Sequence, residues 1–128
     1  MSTRSLINVE CNDGIVRSVY CHFDGSDHLP TLQLHYNSQE LAEALVNLGD
    51  MSSLGPFMSC PEGHSFENPV DDYSVFYHRD RGEDWDDTCP AEFDTLAEAR
   101  KQDRGQQYIY EWKEGAWRGY NVYRKRYM

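Results

Sequence analysis

The chain has 128 residues, enough for one domain with a core that needs neither disulfides nor metal. Its 22 acidic side chains against 12 basic ones leave a net charge of −10, the wrong sign for gripping nucleic-acid phosphates or an anionic membrane surface. No apolar run approaches the roughly 20 residues of a membrane span, and the opening residues carry no signal-peptide core. The expectation is therefore a cytoplasmic protein with no membrane partner and no direct contact to DNA.

Leu6–Val9 and Ile15–Phe23 flank Asn12-Asp13-Gly14, and Asp-Gly between two β-rich runs predicts a hairpin because glycine accepts positive φ without penalty. Ile15, Val19, Cys21 and Phe23 share one face by period two, with Arg17 as the exception, and Asp24-Gly-Ser-Asp27 ends the strand as a loop. Asn37 as N-cap with Glu40 three residues on predicts a helix whose stripe is Leu41, Ala44, Leu45 and Leu48 and whose terminator is Gly49. Residues 57–72, with Pro61, Gly63 and Pro69, read as an ordered loop. Tyr73–His78 reads as an aromatic strand running into a charged loop, Arg79–Asp87. Thr95 and Glu98 form a second capping box for a helix through about residue 103, and Tyr108–Trp112 with Ala116–Tyr123 form a hairpin around Lys113-Glu-Gly115. The order ββαβαββ predicts a single α+β domain spanning 1–128, an antiparallel sheet of about five strands with two helices on one face.

The charge is unevenly placed. Residues 67–103 hold 12 acids and 4 bases, whereas residues 104–128 hold 2 acids and 6 bases, so an acidic middle is followed by a basic end. Arg124-Lys-Arg126 is too short to outweigh the overall charge, and it reads as complementary to the acidic middle or as a self-association edge that would make a homo-oligomer. Four cysteines without CxxC spacing read as free thiols, with Cys21 a small core residue. Cys60 and His64 would give zinc two ligands where a structural site wants four. No cofactor is expected.

Three constellations bear chemistry. The acidic run Asp80, Glu83, Asp84, Asp86 and Asp87, with Trp85 inside it, repeats carboxylates along the chain at about the spacing of phosphates in one DNA strand. Such a run with a tryptophan anchor would suit a basic nucleic-acid groove on another protein, although it reads more plainly as a solvated loop. Arg79 and Arg81 beside Phe76 and Tyr77 would clamp a phosphate and stack a base, the plainer reading being arginines neutralised by the neighbouring acids. His22-Phe-Asp24 and His78-Arg-Asp80 share the form H-x-D. On strands each pair would share a face, and two adjacent pairs would hold a divalent metal or act as acid and base. The plainer reading has each Asp capping a turn or pairing with an arginine.

Thr3-Arg4-Ser5, Tyr20-Cys-His-Phe-Asp-Gly25, Leu34-His-Tyr36, Leu48-Gly-Asp-Met-Ser-Ser-Leu-Gly55, His64-Ser-Phe66 and Phe76-Tyr-His-Arg-Asp-Arg-Gly-Glu83 follow one another in that order. As a set these motifs resemble a widespread family of small phage and prophage proteins, over about residues 3–86. The stretch Ser26-Asp-His-Leu-Pro30 departs from that pattern, where relatives continue with a Tyr-Pro-x-His-x-Gly-like sequence. The resemblance implies a phage-borne accessory protein acting in the host cytoplasm, and it brings no catalytic residues with it.

The first functional expectation is thus a counter-defence protein of the anti-CRISPR or anti-restriction type. It would block a host defence protein or nucleoprotein complex through its acidic and aromatic surface. The alternatives are a sponge for a nucleotide second messenger at the arginines, and a small metal-dependent enzyme built on the two H-x-D pairs. Enzymatic activity is the less favoured of the classes.

Overall fold

A computed structural model describes residues 2–128 of the protein. Eight strands form one sheet: β1 (Ser5–Glu10), β2 (Val16–Cys21), β3 (Met51–Ser53), β4 (Val75–Phe76), β5 (Ala91–Phe93), β6 (Tyr108–Lys113), β7 (Ala116–Asn121) and β8 (Arg126–Tyr127). Five helices accompany them: α1 (His28–His35), α2 (Gln39–Val46), α3 (Tyr77–Arg81), α4 (Trp85–Thr88) and α5 (Leu96–Arg100). The strands lie in the order β4-β3-β2-β1-β6-β7-β8, and β5 joins β2 as well.

Both expected hairpins form. β1 pairs antiparallel with β2 from Ser5↔Cys21 to Glu10↔Val16, with Gly14 at φ 86 in the turn. β6 and β7 meet through the two-residue turn Glu114-Gly115, both at positive φ, as a tight hairpin with right-handed strand twist requires. The α+β class holds, but the purely antiparallel sheet of about five strands does not. β1 runs parallel to β6 and β2 parallel to β3, and the extra strands are only two or three residues long.

Helices cover both faces of the sheet, not one. The main core joins Ile7, Val9, Val19 and Cys21 with Tyr110, Trp112 and Trp117 beneath Leu32, Tyr36, Ala42, Leu45 and Val46 of the α1–α2 layer. Two indoles pin that layer: Trp117 Nε1 donates to the Tyr36 carbonyl at the end of α1 (2.9 Å), and Trp112 Nε1 donates to Gln39 Oε1 at the start of α2 (2.6 Å). On the opposite face Val16 packs with Leu96 and Ala99 of α5. Polar ties extend that contact. Gln102 Nε2 donates to Ser18 Oγ at 2.8 Å, and Arg100 grips Glu111.

Several boundaries move for local reasons. α1 lies where no helix was expected; Pro30 falls in its first turn, where backbone N–H groups have no intrahelical acceptor and a missing one costs nothing. The N-cap of α2 is Ser38 rather than Asn37, its side chain accepting the Leu41 N–H at 3.1 Å. Ala42, Leu45 and Val46 turn inward, and Leu41 of the expected stripe is left exposed. Thr95 caps α5 as expected, accepting from the Glu98 N–H, but the helix ends at Arg100. The strand expected over 73–78 shrinks to Val75–Phe76, and the charged loop expected over 79–87 contains α3 and α4. Residues 57–72 hold no helix or named strand, as expected of an ordered loop.

Candidate functional site

The segment 76–89 is assembled around one buried carboxylate. Asp80 is only 8 % exposed. Its Oδ2 accepts the Phe76 N–H at 2.8 Å, closing the start of α3, and Arg79 donates to both of its oxygens at 2.9 and 3.1 Å. Burial alone would raise this carboxyl; the Arg79 guanidinium and the Phe76 N–H outweigh it and hold it below the usual carboxylate range. His64 stands 3.5 Å away, its Nδ1 accepting the Val70 N–H at 2.9 Å while its Nε2 lies 3.1 Å from the Ser74 carbonyl. These contacts fasten the 57–72 loop onto β4.

Gly82, in the left-handed region at φ 78, ends α3 and releases the chain outward. Asp84 then caps α4, accepting from the Asp86 N–H at 3.0 Å. The carbonyl of Thr88 accepts the Asp50 N–H at 2.7 Å and moors α4 to the turn after α2. Trp85 sets its ring edge-on to His78 at 5.1 Å and remains 38 % exposed, beside a cleft of about 530 Å³ that Arg17, Asn47, Cys89, Pro90 and Glu92 also line. Asp84, Asp86 and Asp87 are exposed, and no ion pair among the described residues involves them.

The acidic run therefore divides. Half-buried Glu83, 3.7 Å from Arg81, begins a ridge at 83–87 whose other members, Asp84, Trp85, Asp86 and Asp87, are exposed. Asp80, expected on the same surface, is withdrawn into the ion pair and hydrogen bonds that build the segment.

The aromatic–arginine clamp does not come together as a cleft. Phe76 is fully buried, and Arg79 lies over its ring at 4.8 Å while its remaining donors point to the Met58, Ser59 and Ser74 carbonyls. Arg81 turns elsewhere, over Phe66 at 4.4 Å. Tyr77 is half-buried, and burial raises its hydroxyl pKa. A phosphate at Arg79 would have to displace a buried carboxylate and three carbonyls.

Nor do the H-x-D pairs lie on strands. His22 follows the end of β2, its Nδ1 2.7 Å from the Tyr20 hydroxyl, and Asp24 is in the left-handed region at φ 58 where a 3-10 turn begins. His78 and Asp80 are in α3, with His78 Nδ1 2.8 Å from the Glu83 carbonyl. Among the described residues no group of three or more His, Cys, Asp or Glu side chains is placed to hold a metal ion. Cys60 and His64 are sequence neighbours, but both ring nitrogens of His64 are engaged with backbone groups of the protein.

Sequence reasoning did not single out His64 as the partner of Asp80, nor Glu111 as the anchor of two arginines. The only signal for Glu111 was a carboxylate alternating with tyrosine and tryptophan in a strand. No family model, curated protein or solved structure matches the chain, so its own chemistry carries the functional argument. No helix among the described residues is long and apolar enough to cross a membrane.

Proposed function

We propose that the protein is a phage-borne counter-defence factor that binds a host immune component and occupies its basic nucleic-acid site with the 83–87 ridge. The observation that carries this reading is the split of the acidic run. Asp80 is consumed internally by Arg79, while the three aspartates around half-exposed Trp85 form no ion pair among the described residues. Carboxylates left unpaired beside an exposed indole match what a protein interface needs: charge to steer encounter, and one aromatic anchor to slow dissociation. The net charge of −10 adds to that steering towards a basic partner. The phage assignment rests on the motif resemblance over residues 3–86.

The test uses the intact chain as bait in bacterial lysate, beside an Asp86→Lys/Asp87→Lys double variant that leaves the Asp84 cap in place. The expected result is a nucleic-acid-binding protein retained by the native chain, released by added duplex DNA, and weakened about tenfold or more by the double substitution. Retention indifferent to duplex DNA and to both substitutions would overturn the ridge as the binding surface.

A further inference from the structure

Aromatic and cationic chemistry meets at the other end of the molecule. A cleft of about 420 Å³ opens between α5 and the β7–β8 ribbon, on the sheet face opposite α1 and α2. Ile109 and Val122 give it apolar lining, and Tyr120 and Tyr127 stand edge to face at 5.2 Å. Arg100 and Lys125 line it too, and no carboxylate does. Glu111, 1 % exposed in β6, holds Arg100 from behind. It accepts from Arg100 twice, at 2.7 and 2.8 Å, and lies 3.5 Å from the Nε of Arg118. Arg118 in turn holds its guanidinium 4.8 Å from the centre of the Tyr127 ring.

Glu111 spends its charge once, against Arg100, Arg118 and Lys125, so about two positive charges remain beside the tyrosine wall. The Arg118 contact to Glu111 is made through Nε, which leaves both terminal nitrogens of that guanidinium for an anion. The volume is within the roughly 300–1,000 Å³ of small-molecule sites, towards its lower end. We propose that this cleft binds a nucleoside monophosphate, with the base against the Tyr120–Tyr127 wall and the phosphate on Lys125 of the lining, assisted by Arg118, which is outside the lining but in contact with the Tyr127 ring. A flat apolar face joined to a dianion fits both halves of the cleft, whereas a purely apolar ligand would bury the cations and a bare anion would leave the rings wet. The site is separate from the 83–87 ridge, and the two readings stand or fall independently.

Titration calorimetry at low salt with AMP and UMP as probes tests it, with adenosine and inorganic phosphate as the two halves. Binding of at least one nucleotide is expected, with each half at least about tenfold weaker. Lys125→Glu and Tyr127→Ala should each weaken the nucleotide about tenfold; both side chains are exposed near the chain end, and an unchanged melting curve would show that the fold is kept. No heat from either nucleotide at about 1 mM, or binding that survives both substitutions, would overturn the proposal. Inorganic phosphate binding as well as AMP and UMP would also overturn it, by reducing the cleft to an anion site with no base recognition.

Discussion

His28, the first residue of α1, is 2 % exposed, its ring 5.7 Å from that of Tyr110, and its Nε2 has no hydrogen-bond partner among the described residues. Burial pushes its pKa from 6.5 down to about 4, against the opposing pull of Asp24 and Asp27. The folded chain therefore refuses a proton that the unfolded chain accepts between those two values. Above 6.5 both states are neutral at this residue and nothing is lost. As pH falls from 6.5 towards 4, the unfolded state gains protons first and stability declines, by about 3 kcal/mol across the window. Asp80 works on a different limb. Its depressed pKa contributes stability that is fully present above the ordinary carboxylate value of 3.8 and is lost only as pH falls through its lower folded value. The two are separable by urea unfolding at pH 7, 6, 5 and 4: the native chain should weaken steadily over that range, and His28→Leu should flatten the slope. A slope that persists unchanged in His28→Leu would show that the histidine is not the group responsible.

At the scale of elements, the features set by a few neighbouring residues were legible and those set by distant contacts were not. Asp-Gly and Glu-Gly turns and the Thr95 cap follow from local backbone preferences and stand where the sequence pattern puts them, whereas α2 has Asn47 as its C-cap and so ends one residue earlier than a terminator at Gly49 predicts. α1 was hidden because its leucines make no single stripe: Leu32 is buried but Leu34 is 76 % exposed. β3, β4, β5 and β8 are too short to show a period of two, and the parallel pairing of β1 with β6 joins residues about a hundred positions apart. The same divide runs through the candidate site. The acid run and its tryptophan were visible, whereas the burial of Asp80 depends on the 57–72 loop folding back to deliver His64 and the Arg79 acceptors. Two glycines measure what tertiary packing adds to a local requirement. Gly14 and Gly49 have the same φ of 86°, but a Cβ at Gly14 would meet nothing within 4 Å, whereas one at Gly49 would fall 2.5 Å from the Thr88 carbonyl oxygen and 3.1 Å from the Trp85 ring. Gly14→Ala should cost about 1 kcal/mol, the left-handed penalty alone. Gly49→Ala should cost more, roughly 3 kcal/mol, because α4 must also shift. Equal losses in urea unfolding would mean that α4 is not seated on Gly49 as described.

For the molecule as a whole, the sheet order places the hydrophobic driving force at β1. It lies between β2 and β6, its residues Ser5–Val9 are all buried, and it has the α1–α2 layer on one face and the α5 side on the other. The sheet thins outward from there, to the two-residue β4 on one side and the exposed two-residue β8 on the other. β4 is reinforced by Asp80 and the His64 loop, but β8 is held by two residue pairs with β7, the Tyr120–Tyr127 contact and the Met128 N–H to the Gly119 carbonyl. Local opening should therefore begin at β8, where few apolar contacts must be broken. Native-state hydrogen exchange is expected to show β1, β2 and β6 amides opening only with global unfolding, while the Met128 amide exchanges orders of magnitude faster. The amides of Asn8 and Val9 in β1 should set the global limit. If a nucleotide occupies the neighbouring cleft, AMP or UMP should slow exchange at β8, and should slow β1 by no more than the factor that binding adds to global stability. Protection of β8 equal to that of β1 in the free protein would contradict this gradient and make the C-terminal strand part of the same cooperative unit as the core.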